Sequence, residues 1–259
     1  MRFALGIEYD GSDFSGWESQ PRQRTVQSTL ESALSSVADG AIKIVCAGRT
    51  DAGVHALAQV VHFDSRAERA PHEWVLGANS NLPGDVNVCW ASPVVEDFHA
   101  RYSALCRHYR YVIHNRRERS ALLRQRAAWE RSPLDTTPMQ AAGSHLLGEH
   151  DFSSFRAAGC QAKGPVRTVA SLEVHRRGAL VIIDIAANAF LQHMVRNVAG
   201  VLIEVGKGKR EPAWAKELLA ARDRRLGAVT APPQGLYLSR IDYPSEYGLP
   251  AVSPEWLLW

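Results

Sequence analysis

The sequence predicts an α+β protein made of two split-βαβ, ferredoxin-like halves whose antiparallel sheets meet around a central basic cleft. Three observations lead there. Period-2 and period-3.6 apolar patterns alternate as β-α-β-β-α-β between Phe3 and Trp90. A second round of strands and helices begins just after residue 104. Nine arginines against two glutamates lie between Arg101 and Arg131, a local net charge of +7 in a chain whose total is only +3.

Each element has its own signal. Phe3, Leu5, Ile7 and Tyr9 fall on one face, the period of a half-buried strand and not that of a signal peptide. A Gly-rich loop from Gly11 to Arg24 leads to Val26, Leu30, Leu34 and Val37 at helical spacing. Ile42 to Cys46 reads as a short buried strand, and the polar turn GRTDAGVHA follows it. A strand around Gln59 to Phe63, a helix around His72 to Ala78 and a strand from Val86 to Trp90 close the first half.

In the second half, CRHYRYVIHN places Tyr109, Tyr111 and Ile113 opposite His108, Arg110 and Val112, as in a long strand. A helical stretch near Met139 to Leu147 precedes a hairpin, VASLEVH and LVIIDIAA, turning at Arg177-Gly178. Phe190, Met194, Val198, Leu202 and Val205 share a helical face, Trp214, Leu218 and Leu219 mark another helix, and Gly235 to Asp242 a last strand. The linker is expected near residues 100 to 106, giving domains 1–103 and 104–259. The apolar tail SPEWLLW is expected to pack on the body or on a second subunit.

Composition narrows the class. With 46% hydrophobic and 22% charged residues the chain is globular, and no apolar run is long enough to span a bilayer. Cys46, Cys89, Cys106 and Cys160 form no CxxC pair, which points to free thiols in a reducing cytoplasm. His55, His62, His99, His108, His114 and His193 make no metal-ligand pattern with them. Arginine supplies 25 of the 30 basic residues, suited either to bidentate phosphate contact or simply to a solvated face.

The segment with chemical promise is Cys46-Ala47-Gly48-Arg49-Thr50-Asp51-Ala52-Gly53-Val54-His55. Two glycines flank a polar triplet after an apolar strand, so the chain can turn sharply and present side chains at a strand end. Arg49 lies two residues from Asp51, and nearby positive charge favours an ionised carboxylate. The pattern alone leaves Asp51 open between a turn former or helix cap and a catalyst.

GRTDAGVHA resembles the active-site motif of the tRNA pseudouridine synthase A family. Seven further segments match in the same order: IEYDGSDFSGW, NLPGDV, FHARYSA, YRYVIHN, DFSSFR, NAFLQHMVRNVAG and GLYL. The resemblance runs from Ile7 to about Tyr243. It implies a homodimeric isomerase without metal or organic cofactor, which grips the anticodon arm of tRNA and converts uridines at tRNA positions 38, 39 and 40. It implies Asp51 as the catalytic aspartate and Tyr109 as the tyrosine that contacts the target base. It also implies Arg49 and Arg196 as the motif arginines, with Arg196 the expected partner of the carboxylate. Expected tRNA contacts are Phe98, His99, Ala100, Arg101 and Tyr102, then Gly159, Cys160, Gln161, Ala162 and Lys163, together with Arg69, Arg110 and Arg117. Two positions depart from the family pattern: Gln192 replaces a histidine, and Glu18 a glutamine. Three other readings compete: an inactive tRNA chaperone of this fold, a glycosidic-bond hydrolase, and a synthase acting on another RNA.

Overall fold

The computed structural model describes residues 1–250, so the SPEWLLW tail lies outside the described residues. Those residues form ten strands and five α-helices, a mixed α+β architecture. They divide into two compact units, one of residues 1–106 with residues 237–250, the other of Arg107–Leu236. The last strand thus returns to the first unit.

In the first unit β1 (Arg2–Tyr9) lies between β4 (Val86–Val94) and β3 (His55–Asp64), antiparallel to both. The other edge of β3 is shared. Its start pairs in parallel with β10 (Leu236–Asp242), and its end pairs antiparallel with the two-residue β2 (Val45–Cys46). β1 was expected to be half-buried; it is covered on both faces. Phe3 packs its ring against Phe63 and Trp74 on one side. On the other, Ala4 joins Ala47, Val60, Phe98 and Ala100, and Gly6 lies under the Trp90 indole. Small residues on that face leave room for the second layer. The expected strand from Ile42 shortens to β2, whose Val45 is exposed.

Helix α1 (Val26–Ala38) starts at Thr25, whose hydroxyl accepts the Ser28 N–H, and ends where Asp39 turns left-handed at φ 50°. It buries Val26, Leu30 and Leu34. Its Val37 meets α2 (Pro71–Asn81) at Gly77, where an added Cβ would lie 2.9 Å from a Val37 methyl.

The second unit is an antiparallel sheet in the order β5 (Cys106–Asn115), β9 (Leu180–Ala187), β8 (Val166–Arg177), β7 (Gly148–Asp151), with β6 (Ala128–Glu130) parallel to β5. The β8–β9 hairpin closes from Arg177 to Leu180, with Gly178 at φ 59°. Helix α3 (Thr136–Ser144) presses Gly143 onto Leu172 of β8. Its Met139 packs against Gly206 of α4 (Met194–Gly206), and α5 (Trp214–Ala221) completes the helices. The helix expected from Phe190 starts four residues later. His193 holds a left-handed φ of 62°, which breaks the helical path and releases Phe190 to pack edge-on against Tyr109, ring centroids 5.0 Å apart. No described helix is long and apolar enough to cross a membrane.

Candidate active site

Between β2 and β3 the chain runs along the edge of β3 before turning. The Ala47 N–H donates to the Val60 carbonyl at 2.8 Å. One step further, the buried Gln59 side chain takes over the ladder. Its Nε2 donates to the Gly48 carbonyl at 2.6 Å, and its Oε1 accepts the Gly48 N–H at 3.4 Å. A side-chain amide thus pairs both backbone polar groups that leave the sheet, which keeps the buried departure from costing an unmade hydrogen bond.

The turn itself is fixed from several sides. The Thr50 hydroxyl is 2.7 Å from the Tyr9 hydroxyl, and the Thr50 carbonyl accepts the Trp17 N–H at 3.0 Å. The Val54 N–H closes back onto the Asp51 carbonyl at 3.1 Å, and Gly53 takes φ 76°. The loop after β1 clamps the turn through two glycines. A Cβ on Gly11 would stand 1.9 Å from the Val54 carbonyl oxygen. One on Gly16, at φ +96°, would stand 3.0 Å from the Thr50 carbonyl oxygen and 3.1 Å from the Ala52 nitrogen. His55 begins β3 with Nδ1 accepting the Gly11 N–H at 3.1 Å and its ring stacked on Tyr237 at 4.7 Å.

Asp51 is therefore half-buried on a rigid turn at a strand end. Arg49 is exposed and forms an ion pair with Glu18, one of the two positions that depart from the family pattern. Cys46, buried just before the turn, has its thiol pushed up to about 12 by burial, which makes it unreactive.

In the second unit Tyr109 is buried on β5 under Phe190. Arg196 occupies the first turn of α4, its Nε donating to the Ala231 carbonyl at 2.8 Å.

The expected RNA contacts fall into distinct groups. Phe98 and Ala100 are fully buried in the core, so within that segment the side chains at the surface are those of Arg101 and Tyr102, both exposed, and the half-buried His99. The Ala100 N–H is held at 3.1 Å by Nδ1 of His62 behind it. Burial first, then His99 and Arg2, pushes His62 down to about 4. His99 stacks on Tyr102 at 4.3 Å. Arg69 and Arg117 are exposed. Arg110 is engaged instead across the sheet with its register partner Asp184, through two hydrogen bonds of 2.7 and 3.0 Å. In the segment Gly159 to Lys163, Arg156 ties down the carbonyls of Cys160 and Ala162 at 2.6 and 2.7 Å.

Sequence reasoning missed Gln59, Tyr9 and the clamping role of Gly11 and Gly16. The glycines of DGSDFSG were the available signal; Gln59 gave none, lying within a strand of mixed residues.

The first unit thus offers a half-buried carboxylate on a strand-end turn, and the second, by itself, a buried tyrosine and an arginine in the first turn of a helix, side chains of the kinds that enzymes use. The comparisons make the class specific. The family described as tRNA pseudouridine synthase matches residues 6–103 and 142–244. A tRNA pseudouridine synthase A of Nitrosococcus oceani is 59% identical over 259 residues, covering 100% of both chains. Those of Methylococcus capsulatus and Alcanivorax borkumensis are 57% and 55% identical, covering 96% and 99% of this chain and 92% and 97% of their own. The chain belongs to the tRNA pseudouridine synthase family, and it is an isomerase.

Proposed function

We propose that this chain converts uridine to pseudouridine at positions 38, 39 and 40 in the anticodon stem-loop of tRNAs, with Asp51 as its catalytic carboxylate. The observation that carries the reading is the Asp51 turn: a carboxylate in the matched family region, on a turn whose backbone and neighbouring side chains are fixed by Gln59, Tyr9, Gly11 and Gly16. Preorganisation of this kind is what a reaction at one glycosidic carbon requires.

The isomerisation breaks C1′–N1, turns the detached uracil and joins C5 to C1′, with the C5 proton lost to solvent. The Asp51 carboxylate acts either as nucleophile at C1′ or as base at C2′. Tyr109 is assigned the face of the target base and Arg196 the charge that keeps the carboxylate ionised. A nucleotide in a stem or loop must leave its stack to reach Asp51, at a cost of about a few kcal/mol. Arg49, already on the same turn, is suited to fill the space left behind, after exchanging Glu18 for RNA. An exposed ion pair of this kind contributes only about 0–1 kcal/mol, so the exchange is cheap.

We read the two units as split-βαβ halves whose basic surface holds the anticodon arm. The segment 1–103 carries the catalytic loop; the segment 104–259, whose last strand packs in the first unit, supplies Tyr109, Arg196 and the contacts of a cytoplasmic homodimer. The test is to incubate tRNAs bearing uridine at 38, 39 or 40 with the protein and map pseudouridine by carbodiimide labelling and reverse-transcription stops. Stops at those positions support the assignment. Stops elsewhere in tRNA, or only in another RNA, overturn it.

A further inference from the structure

Arg196 is tied into a hydrogen-bonded relay in the second unit. Residue 231 clamps residue 196 twice: the Ala231 N–H donates to the Arg196 carbonyl at 3.1 Å, and the Ala231 carbonyl accepts Arg196 Nε at 2.8 Å. The position of the guanidinium therefore depends on where the segment Gly227 to Ala231 lies. That segment has no helix or strand of its own to hold it.

What holds it is a chain of directed hydrogen bonds. Asn197, 2% exposed, donates Nδ2 to the Phe155 carbonyl at 2.7 Å, which turns its Oδ1 the other way. Oδ1 then accepts the Thr230 hydroxyl at 2.7 Å and Nη2 of Arg224 at 3.0 Å. The same Nη2 reaches the Ala228 carbonyl at 2.7 Å and the Thr230 oxygen at 3.1 Å. Thr230 gives its proton to Asn197 and faces Arg224, whose two Nη2 hydrogens are shared among the three acceptors. The helix makes room for the segment at Gly200, where a Cβ would lie 2.3 Å from the Val229 carbonyl oxygen.

We infer that Arg224 and Thr230 are positioning residues for the isomerisation: through Ala231 they fix the guanidinium of Arg196 against the reacting nucleotide. The inference rests on the catalytic part assigned to Arg196 above. Neither residue needs to touch RNA. Their effect is transmitted through a segment whose displacement would carry Arg196 with it, and misplacement by about 1 Å can cost a hundredfold in rate.

The test uses full-length protein and steady-state tritium release from tRNA labelled at uridine C5. Thr230→Val removes the hydroxyl at nearly constant volume. It is expected to lower kcat by about tenfold while KM for tRNA stays within about twofold, because the interaction lost matters to the transition state and not to docking. Thr230→Ser keeps the hydroxyl and is expected to restore most of the rate. In an Arg196→Lys background, Thr230→Val should cost no more than about twofold further, since residues acting through one another are non-additive. The same factor in both backgrounds, or equal damage from Thr230→Ser and Thr230→Val, would overturn the inference while leaving Arg196 as assigned. Full activity of Arg196→Gln, which lacks the charge, would instead remove the part given to Arg196, and the inference with it.

Discussion

The Tyr9 hydroxyl lies 2.7 Å from the Thr50 hydroxyl, one residue before Asp51. A residue at the end of β1 thereby fixes a turn 41 positions away, and Trp17 adds a backbone bond to the same residue. Tyr9→Phe removes one buried hydrogen bond, worth about 1 kcal/mol. The melting temperature should fall by about 2–4 °C, as expected for a chain of this size. Turnover should fall about tenfold while tRNA affinity is unchanged, because only the placement of the Asp51 turn is loosened. A thermal melt and a turnover assay check both.

Gly16→Ala places a methyl 3.0 Å from the Thr50 carbonyl oxygen and forces a side chain into φ +96°. The expected loss of stability is about 1–3 kcal/mol in denaturant unfolding, with a matching loss of turnover. Gly84→Ala serves as comparison: nothing lies within 4 Å of its added Cβ, so stability should stay within about 0.5 kcal/mol.

Acid should weaken the fold before its carboxylates are protonated. His62 ordinarily titrates at 6.5 and is pushed down to about 4 in the fold by burial. The unfolded chain therefore binds a proton between those values that the folded chain refuses. Its contribution is complete above pH 6.5 and is lost as pH falls toward about 4. His99 and His114 are lowered by burial in the same direction. His62→Asn retains an acceptor for the Ala100 N–H without titrating, so it should flatten stability against pH in that window. Urea unfolding at half-unit pH steps measures it.

Arg101 and Arg110 should separate in their salt dependence. Arg101→Gln removes an exposed charge from the segment assigned to RNA and should lower the slope of log affinity against log salt by about 1. Arg110→Gln breaks a pair with Asp184 and should reduce stability, leaving that slope unchanged. Binding titrations between 50 and 200 mM salt, about the range over which such contacts weaken, distinguish the two.

Most of the fold was legible because apolar period reports burial directly. The helix over Val26–Ala38 and the strands of the second unit follow that period. Where the reading slipped, the missing information was tertiary. Nothing local in NAFLQHM says that His193 turns left-handed, so the helix was begun at Phe190, too early. The pairing of Arg110 with Asp184 was not legible either, because the register that sets them opposite is fixed only when β5 and β9 pair. Phe98 and Ala100 lie in a motif expected to touch RNA, yet they fill the second layer beneath β1. Asp51 itself was readable as a strand-end carboxylate. The clamp around it was not, because Gly11, Gly16 and Gln59 reach the turn from other segments.

The most direct test of the account follows tritium release from uridine C5 of tRNA carrying uridines at positions 38 to 40, with the native chain and with Asp51→Asn. The account predicts release by the native chain without free uracil, no release by the variant, and tRNA affinity of the two within about tenfold, since phosphate contacts dominate binding. Turnover by Asp51→Asn at the native rate, or tight binding with no release by either protein, would contradict it.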